Sequence, residues 1–373
     1  MKYPVSCPSC GEVTAELSSD RTSAQCECGE SLPVNFNIGP GCVFAGGYRV
    51  VDLMPNPEDG FIALQEGVDR RVQIKVLSTD EADDEQLARF QRQVKVSAAL
   101  QHSHVITAYH AGEDCGILFL AVQYVDGESL ARRIDRIGAI PEKDALKLLT
   151  PIAEAMNHAW RDHQVIHRNL KPANVVVTDD IPMLADLAIA KTAAADASLT
   201  GAGFALGTPE YMSPEQARGE ENLDCRCDIY AFGIMLYELV TGRPPFTEAS
   251  PILVLNRQLD EEATPPHVKN SDVSKACSDM IMTMLEKRRE DRFADWDAVI
   301  GAMKKVQTAK PAKSGSKPEG KSNKSAKTFS TNKRRSSAAP AAAPPPPASG
   351  GNNWLYVALA GVVLIIILFI LFR

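Results

Sequence analysis

Ten residues constrain this chain more than any others: Val165-Ile166-His167-Arg168-Asn169-Leu170-Lys171-Pro172-Ala173-Asn174, with Asp186-Leu187-Ala188 downstream. Two apolar residues lead into a loop that gathers an imidazole, a guanidinium, an ammonium and two amides, and a carboxylate follows. Such a loop needs a folded body around it. With 373 residues the chain has room for two or three domains, and at 45% apolar composition a full core is available. The net charge is −7 but unevenly spread: residues 304–335 carry eleven Lys/Arg against Glu319 alone. Setting aside that segment and Arg373 leaves residues 1–303 at −18. An acidic globule is thus joined to a basic tether, and the acidic body argues against general nucleic-acid binding. Met1–Ser6 lead straight into cysteines with no apolar segment, so no N-terminal signal peptide is expected. Nine Cys, four clustered and five scattered, suggest reduced thiols rather than disulfides.

The clustered cysteines are Cys7-Pro8-Ser9-Cys10-Gly11 and Cys26-Glu27-Cys28-Gly29, a C-x2-C and a C-x-C separated by fifteen residues. Each pair offers two thiolates, and the glycine after each permits the tight turn that aims both sulfurs at one ion. Cys7, Cys10, Cys26 and Cys28 at this separation look like a zinc ribbon with a closed, structural zinc site. About 35 residues cannot bury an adequate core unaided, so metal would stabilise the fold of residues 1–36. Two unrelated thiol pairs remain an alternative because the second spacing is one residue. A redox pair lacks the surrounding β/α pattern it needs.

The body from Gly47 reads as a β-rich lobe followed by a helical one. Strands are expected at Tyr48–Leu53, Phe61–Glu66 and Arg71–Leu77, and two more near 105–111 and 117–124. A helix near 83–99 should turn Leu87, Phe90, Val94 and Ala98 inward, and a long helix is expected near 141–162. The ten-residue loop and Asp186 resemble the catalytic and metal-binding loops of eukaryotic-type (Hanks-type) Ser/Thr protein kinases, as found in many bacteria. The resemblance covers about residues 47–303 and implies an α+β, bilobal protein-kinase-like fold. Gly207–Glu215 matches the end of the activation segment, and Asp228-Ile229-Tyr230-Ala231-Phe232-Gly233 the start of the buried central helix. By the same resemblance Asp228 braces the catalytic-loop backbone and Arg292 pairs with Glu215. Thr208 matches a Thr that bonds the catalytic Asp and Lys. Lys171 would steady the γ-phosphate, and Asn174 and Asp186 would hold Mg²⁺. Gln123 and Val125 fall at the hinge that borders the nucleotide.

Several positions depart from the family pattern. Asn169 stands where the catalytic Asp belongs, and a neutral amide cannot accept the hydroxyl proton as a carboxylate can. The Gly-rich phosphate loop becomes Pro55-Asn56-Pro57-Glu58-Asp59-Gly60, so only Gly60 survives. Proline has no N–H to offer, and Glu58 and Asp59 would oppose a triphosphate. The third-strand motif reads Val72-Gln73-Ile74-Lys75: the Lys remains, but Gln73 replaces the small Ala that covers adenine. Gln93 replaces the helix Glu and would leave Lys75 without its ionic partner, and Ala188 replaces the metal-loop Gly. These changes imply a pseudokinase; the alternative is an active, weak Ser/Thr kinase. ATP and Mg²⁺ are cofactors only if the site works. Thr192, Ser198 and Thr200 could accept phosphate from another kinase, or merely belong to a small-residue loop.

Residues 304–353 are Lys/Ser-rich, then Ala/Pro-rich with a Pro344–Pro347 run, a composition that cannot bury a core. Trp354–Phe372 is nineteen residues without a charge. As a helix it would span about 28 Å, near the bilayer core of about 30 Å. Trp354 and Tyr356 would sit at the interface. The expectation is a C-terminal single-pass anchor with the globule cytosolic, serving protein partners or protein substrates.

Overall fold

The computed structural model describes residues 2–4, 7, 9–11, 14–17, 23–33, 40–45, 47–54, 60–79, 82–114, 116–186, 191–192 and 208–309. The linker over 310–353 and the apolar run over 354–372 lie outside the described residues, as do Pro55–Asp59, Ala188, Ser198 and Thr200. Among the described residues, no helix is long and apolar enough to cross a membrane.

A four-stranded antiparallel sheet comes first: β1 (Lys2–Pro4), β2 (Thr14–Leu17), β3 (Ser23–Gln25) and β4 (Ser31–Pro33), in that spatial order. Two tight turns carry the cysteine pairs. Gly11 at φ +76° and Gly29 at φ +94° close them, donating their N–H groups to the Cys7 and Cys26 carbonyls at 2.9 Å each. Left-handed backbone of this kind is open to glycine at no steric cost.

The next sheet has six antiparallel strands in the order β5-β6-β7-β8-β10-β9. They are β5 (Val43–Phe44), β6 (Tyr48–Leu53), β7 (Phe61–Gln65), β8 (Arg70–Ser78), β9 (Ala108–Asp114) and β10 (Ile117–Gln123). Period-two patterning explains β8: Val72 and Ile74 are fully buried on one face, which leaves Gln73 and Lys75 on the other. The expected strand near 105–111 starts later, at Ala108. Residues 105–106 are drawn to another sheet instead, where Val105 bridges Leu184 and Ile106 N–H bonds the Leu184 carbonyl at 2.9 Å.

Helix α1 (Asp84–Ala99) starts at a capping box between Asp83 and Gln86. Its inward face is not the expected one. Gln93, Val96, Ser97 and Leu100 are buried, Leu87, Phe90 and Val94 only half-buried, and Ala98 exposed. Two polar residues on the packed stripe hid the true face from a hydrophobicity count.

The helical lobe follows. It comprises α2 (Leu130–Ile137), α3 (Glu142–His163), α4 (Pro214–Ala217), α5 (Cys225–Thr241), α6 (Pro251–Asp260), α7 (Pro266–Lys269), α8 (Lys275–Met284) and α9 (Trp296–Thr308). Its core centres on α5, buried on nearly every side, with Ile229, Phe232, Ile234 and Leu236 fully enclosed. A helix apolar all round belongs at the centre of a lobe. Asp224 caps its start and Gly242, at φ +82°, ends it. On this lobe β11 (Glu128–Ser129), β13 (Val175–Thr178) and β14 (Ile181–Leu184) form one small sheet. A second pairs β12 (Val165–Ile166) with β15 (Lys191–Thr192). The loop 167–174 is therefore held between β12 and β13, and Asp186 follows β14.

Candidate active site

Asp228, in the first turn of α5, fixes the loop. Its carboxylate accepts the His167 N–H at 2.7 Å and the Arg168 N–H at 2.8 Å, as the family pattern implies. Burial pushes the Asp228 carboxyl up to about 7, against the hydrogen bonds from Arg168 and His167 that favour its charged form. Arg168 at φ +66° and Asp186 at φ +62° are both left-handed, a conformation that costs a non-glycine residue on the order of 1 kcal/mol. The Asp228 clamp and the β12 and β13 pairings hold the loop there. His167 is fully buried and takes the Asn169 N–H on Nδ1 at 3.3 Å, so its Nε2–H donates to the Ala185 carbonyl at 3.4 Å. Burial holds this imidazole below its ordinary pKa, assisted by Lys171 and opposed by Asp186 and the Ala185 carbonyl.

Asn169 is buried in this framework. Its carbonyl accepts the Asn174 side-chain amide at 2.9 Å, and Lys171 Nζ donates to Thr208 Oγ1 at 2.9 Å. Thr208 is thus joined to Lys171, one of its two expected partners. Behind them, Gln216 donates to the Arg168 carbonyl at 3.1 Å. The Glu215–Arg292 pair is bidentate at 2.7 and 2.8 Å and almost wholly buried, as the resemblance implied.

Across the cleft, one expectation is corrected. Lys75 does not lack an ionic partner: its Nζ lies 2.9 Å from Asp186 Oδ1. Gln93, buried on α1, offers an amide and no carboxylate at the helix position. Burial opposes ionisation of Asp186, but Lys75, with help from His167 and Lys171, holds its carboxyl below the ordinary range. Asn174 and Asp186 supply the oxygen donors that Mg²⁺ prefers. Lys75 engages Oδ1, so a metal at Asp186 would share the carboxylate with the ammonium.

Gln73 is half-buried and sits in register with Ile62 on β7 and Val122 on β10. By strand alternation it shares the cleft-facing side with Lys75. Gln123 ends β10; its side-chain amide reaches Met183 Sδ at 3.8 Å, and Val125 follows in the connecting segment. Gly60 has a reason of its own. At φ +86°, a Cβ there would lie 2.0 Å from the Ile74 carbonyl oxygen, so only glycine lets β7 start this close to β8. Strand packing alone is therefore a sufficient reason for glycine at this position.

Cys7, Cys10, Cys26 and Cys28 come together, with all four Sγ atoms within 4.8 Å of one another. Cys7–Cys28 and Cys10–Cys26 are 3.6 and 3.4 Å apart. Sulfurs on a tetrahedral zinc at about 2.3 Å would stand about 3.8 Å apart, so the set fits such an ion after small shifts. Burial works against ionisation of Cys7, yet hydrogen bonds from the Ser9 and Cys10 backbone and the neighbouring thiols bring it down to about 7. For Cys26 a backbone hydrogen bond at Cys28 lowers the value, but burial and three neighbouring thiols push it up to about 12.

Sequence reasoning missed the support beneath residues 209–210. Gln258, fully buried on α6, donates to the Pro209 and Glu210 carbonyls at 3.3 and 2.6 Å and accepts the Tyr230 hydroxyl at 2.6 Å. A lone Gln in an amphipathic helix gives no sign of such burial.

Residues 61–306 match the family model of the protein kinase domain, and the chain belongs to that family. It is 33% identical over 242 residues to a probable serine/threonine-protein kinase of Clostridium acetobutylicum, covering 64% of this chain and 36% of that one. It is 37% identical over 280 residues to the serine/threonine-protein kinase pkn3 of Myxococcus xanthus, covering 71% and 51%. To the serine/threonine-protein kinase PknB of Mycobacterium leprae it is 32% identical over 249 residues, covering 65% and 40%. The chain spans between about a third and a half of the length of these relatives.

Proposed function

We propose that this chain is a membrane-anchored pseudokinase, a kinase-fold signalling module that acts by binding protein partners rather than by phosphorylating them. The observation that carries this reading is Asn169, seated at the base position of a loop whose supports are complete. With the backbone clamped by Asp228 and the neighbours Lys171, Thr208 and Asn174 engaged, the change is confined to the group that handles the proton. An amide hydrogen-bonds a hydroxyl but takes no proton from it. The Lys75–Asp186 pair supports the same reading, since it engages the metal-binding carboxylate from within. In this proposal a zinc ion on Cys7, Cys10, Cys26 and Cys28 stabilises the N-terminal ribbon. Residues 354–372 anchor the chain, with the basic residues of 304–335 facing anionic cytosolic lipid; the grounds are the uncharged apolar run and the charge asymmetry.

A second reading, a weak Ser/Thr kinase, is favoured by the names of the relatives and by the retention of Lys75, Lys171, Asn174 and Asp186. Radiolabelled phosphotransfer by the purified full-length chain to a generic basic substrate, beside a Mg-ATP titration, separates the two. The expected turnover is at least about 10²-fold below the 1–100 s⁻¹ of ordinary kinases. Turnover within tenfold of that range, abolished by Asp186→Ala, would establish the second reading.

A further inference from the structure

The cysteine site is built into the wall of the small lobe. Cys7 and Cys26, the first ligand of each pair, are 2% and 4% exposed, while Cys10 and Cys28 face solvent. The two buried cysteines belong to one contiguous core with Cys42, Tyr48, Val50, Ala63, Val72 and Ile74. That core lies on the face of the six-stranded sheet opposite the one that carries Gln73 and Lys75. The chain between the two modules is also stitched to the sheet. Gly41 N–H bonds the Val50 carbonyl and Val50 N–H the Cys42 carbonyl, both at 2.8 Å. Val43–Phe44 adds the edge strand β5, and Ala45 N–H bonds Asp114 Oδ2 at 2.8 Å at the end of β9.

We infer that metal occupancy of the cysteine site sets the order of the small lobe and, through it, of the nucleotide cleft. The path is short. Val50 lies on β6 and Ala63 on β7, the two strands that flank residues 54–60, and Ile74 immediately precedes Lys75 on β8. A bound zinc fixes the positions of four sulfurs at once and so fixes the side of the core they form. Without it, two buried thiols and two exposed ones replace a closed site, and the exposed Ser9–Glu30 hydrogen bond at 2.6 Å is left to join the two cysteine turns. The packing on Tyr48, Val50 and Ile74 then loosens. Close-packed interiors transmit such a change because their side chains have few vacant places to move into. The large lobe, whose core centres on α5, has a separate core and is unaffected. The ribbon would thus act as a metal-dependent input to the cleft. This inference rests on the zinc assignment made above and adds the coupling to it.

Hydrogen–deuterium exchange on the full-length protein in detergent, purified from zinc-replete cells, tests the coupling. Zinc content is measured first; exchange is then followed before metal removal by a chelator, after it, and after zinc is restored. Metal removal should speed exchange across Tyr48–Leu53, Phe61–Gln65 and Arg70–Ser78 by about tenfold or more, leave Cys225–Thr241 unchanged, and be reversed by zinc alone. Cys28→Ser, which alters an exposed ligand outside the core, should show the metal-free pattern from the outset. If that variant fails to accumulate, the chelation arm decides. A protein that carries about one zinc and loses it with no change in those three strands refutes the coupling and leaves the zinc site standing. A protein without zinc refutes the site, and the coupling with it.

Discussion

In the large lobe, Arg292 meets Glu215 through two hydrogen bonds, and its remaining donors reach the carbonyls of Glu286, Lys287 and Arg226 at 2.7, 3.1 and 2.8 Å. At the cleft, Lys75 meets Asp186 through one hydrogen bond, with 17% and 28% of the two side chains still exposed. The first pair is an enclosed brace with every donor satisfied. The second is a partly exposed pair across the cleft, Lys75 on β8 meeting Asp186 after β14, with the amide of Gln93 at the helix position. The contrast separates two demands on one fold. A buried charge network fails if any member is lost, so it persists whatever the cleft does. The cleft residues can change their pairing without unfolding anything.

The largest effect should come from breaking the brace. Arg292→Ala leaves Glu215 buried and uncompensated, and should cost about 3–5 kcal/mol in equilibrium unfolding of the large lobe. A cost under about 1 kcal/mol would mean that water replaces the guanidinium. Asp228→Asn should cost about 1–3 kcal/mol, since an amide oxygen cannot serve both the His167 and Arg168 N–H groups as a carboxylate does. Chemical denaturation of that variant checks the value.

Lys75→Met probes the other side of the comparison and should cost less, about 1–2 kcal/mol at neutral pH. The folded pKa of Asp186 is depressed, so the pair's contribution is present above the unfolded carboxyl value and lost as pH falls through the lower folded one. The native and Lys75→Met unfolding curves should therefore converge below about pH 4. Curves that stay parallel down to acid pH would show that the pair contributes nothing.

Two histidines set a milder acid limit. His167 is lowered by burial; His102 is lowered by burial and by His104 and His158, with Glu154 opposing. A depressed histidine pKa means that the unfolded chain binds more protons, so the contribution of these two groups to stability declines as pH falls below about 6.5, while Asp228, its carboxyl raised, works in the opposite direction. His102→Gln should flatten part of that slope, measured as melting temperature against pH. The smallest effect belongs to Asn169→Asp. Restoring the base alone should leave phosphotransfer more than tenfold below about 1–100 s⁻¹, because Lys75 still holds Asp186 and positioning carries most of the chemistry. Adding Gln93→Glu, which offers Lys75 a second carboxylate, should raise the rate above the single variant.

The order of motifs from His167 to Arg292 made the bilobal fold legible, because each scaffold residue has a partner type that chemistry fixes in advance: a carboxylate for two loop N–H groups, a guanidinium for a buried Glu. Asn169 was legible for the same reason, since its neighbours on both sides hold the register. The cysteine pairs were visible as well, their spacing and glycines being local properties. What the chain alone withheld were the contacts that depend on competition in space. Lys75 was assigned an absent partner because a sequence lists substitutions without showing which anion stands nearest once one is removed. The inward stripe of α1 was misplaced because Gln93 and Ser97 are buried by their surroundings, against their own polarity. The packing need at Gly60 was invisible too, since only the fold brings the Ile74 carbonyl to where a side chain would stand. The union of the cysteine turns with the small-lobe core was equally hidden, for local spacing aims sulfurs at an ion but only tertiary packing decides what the other side of those sulfurs touches.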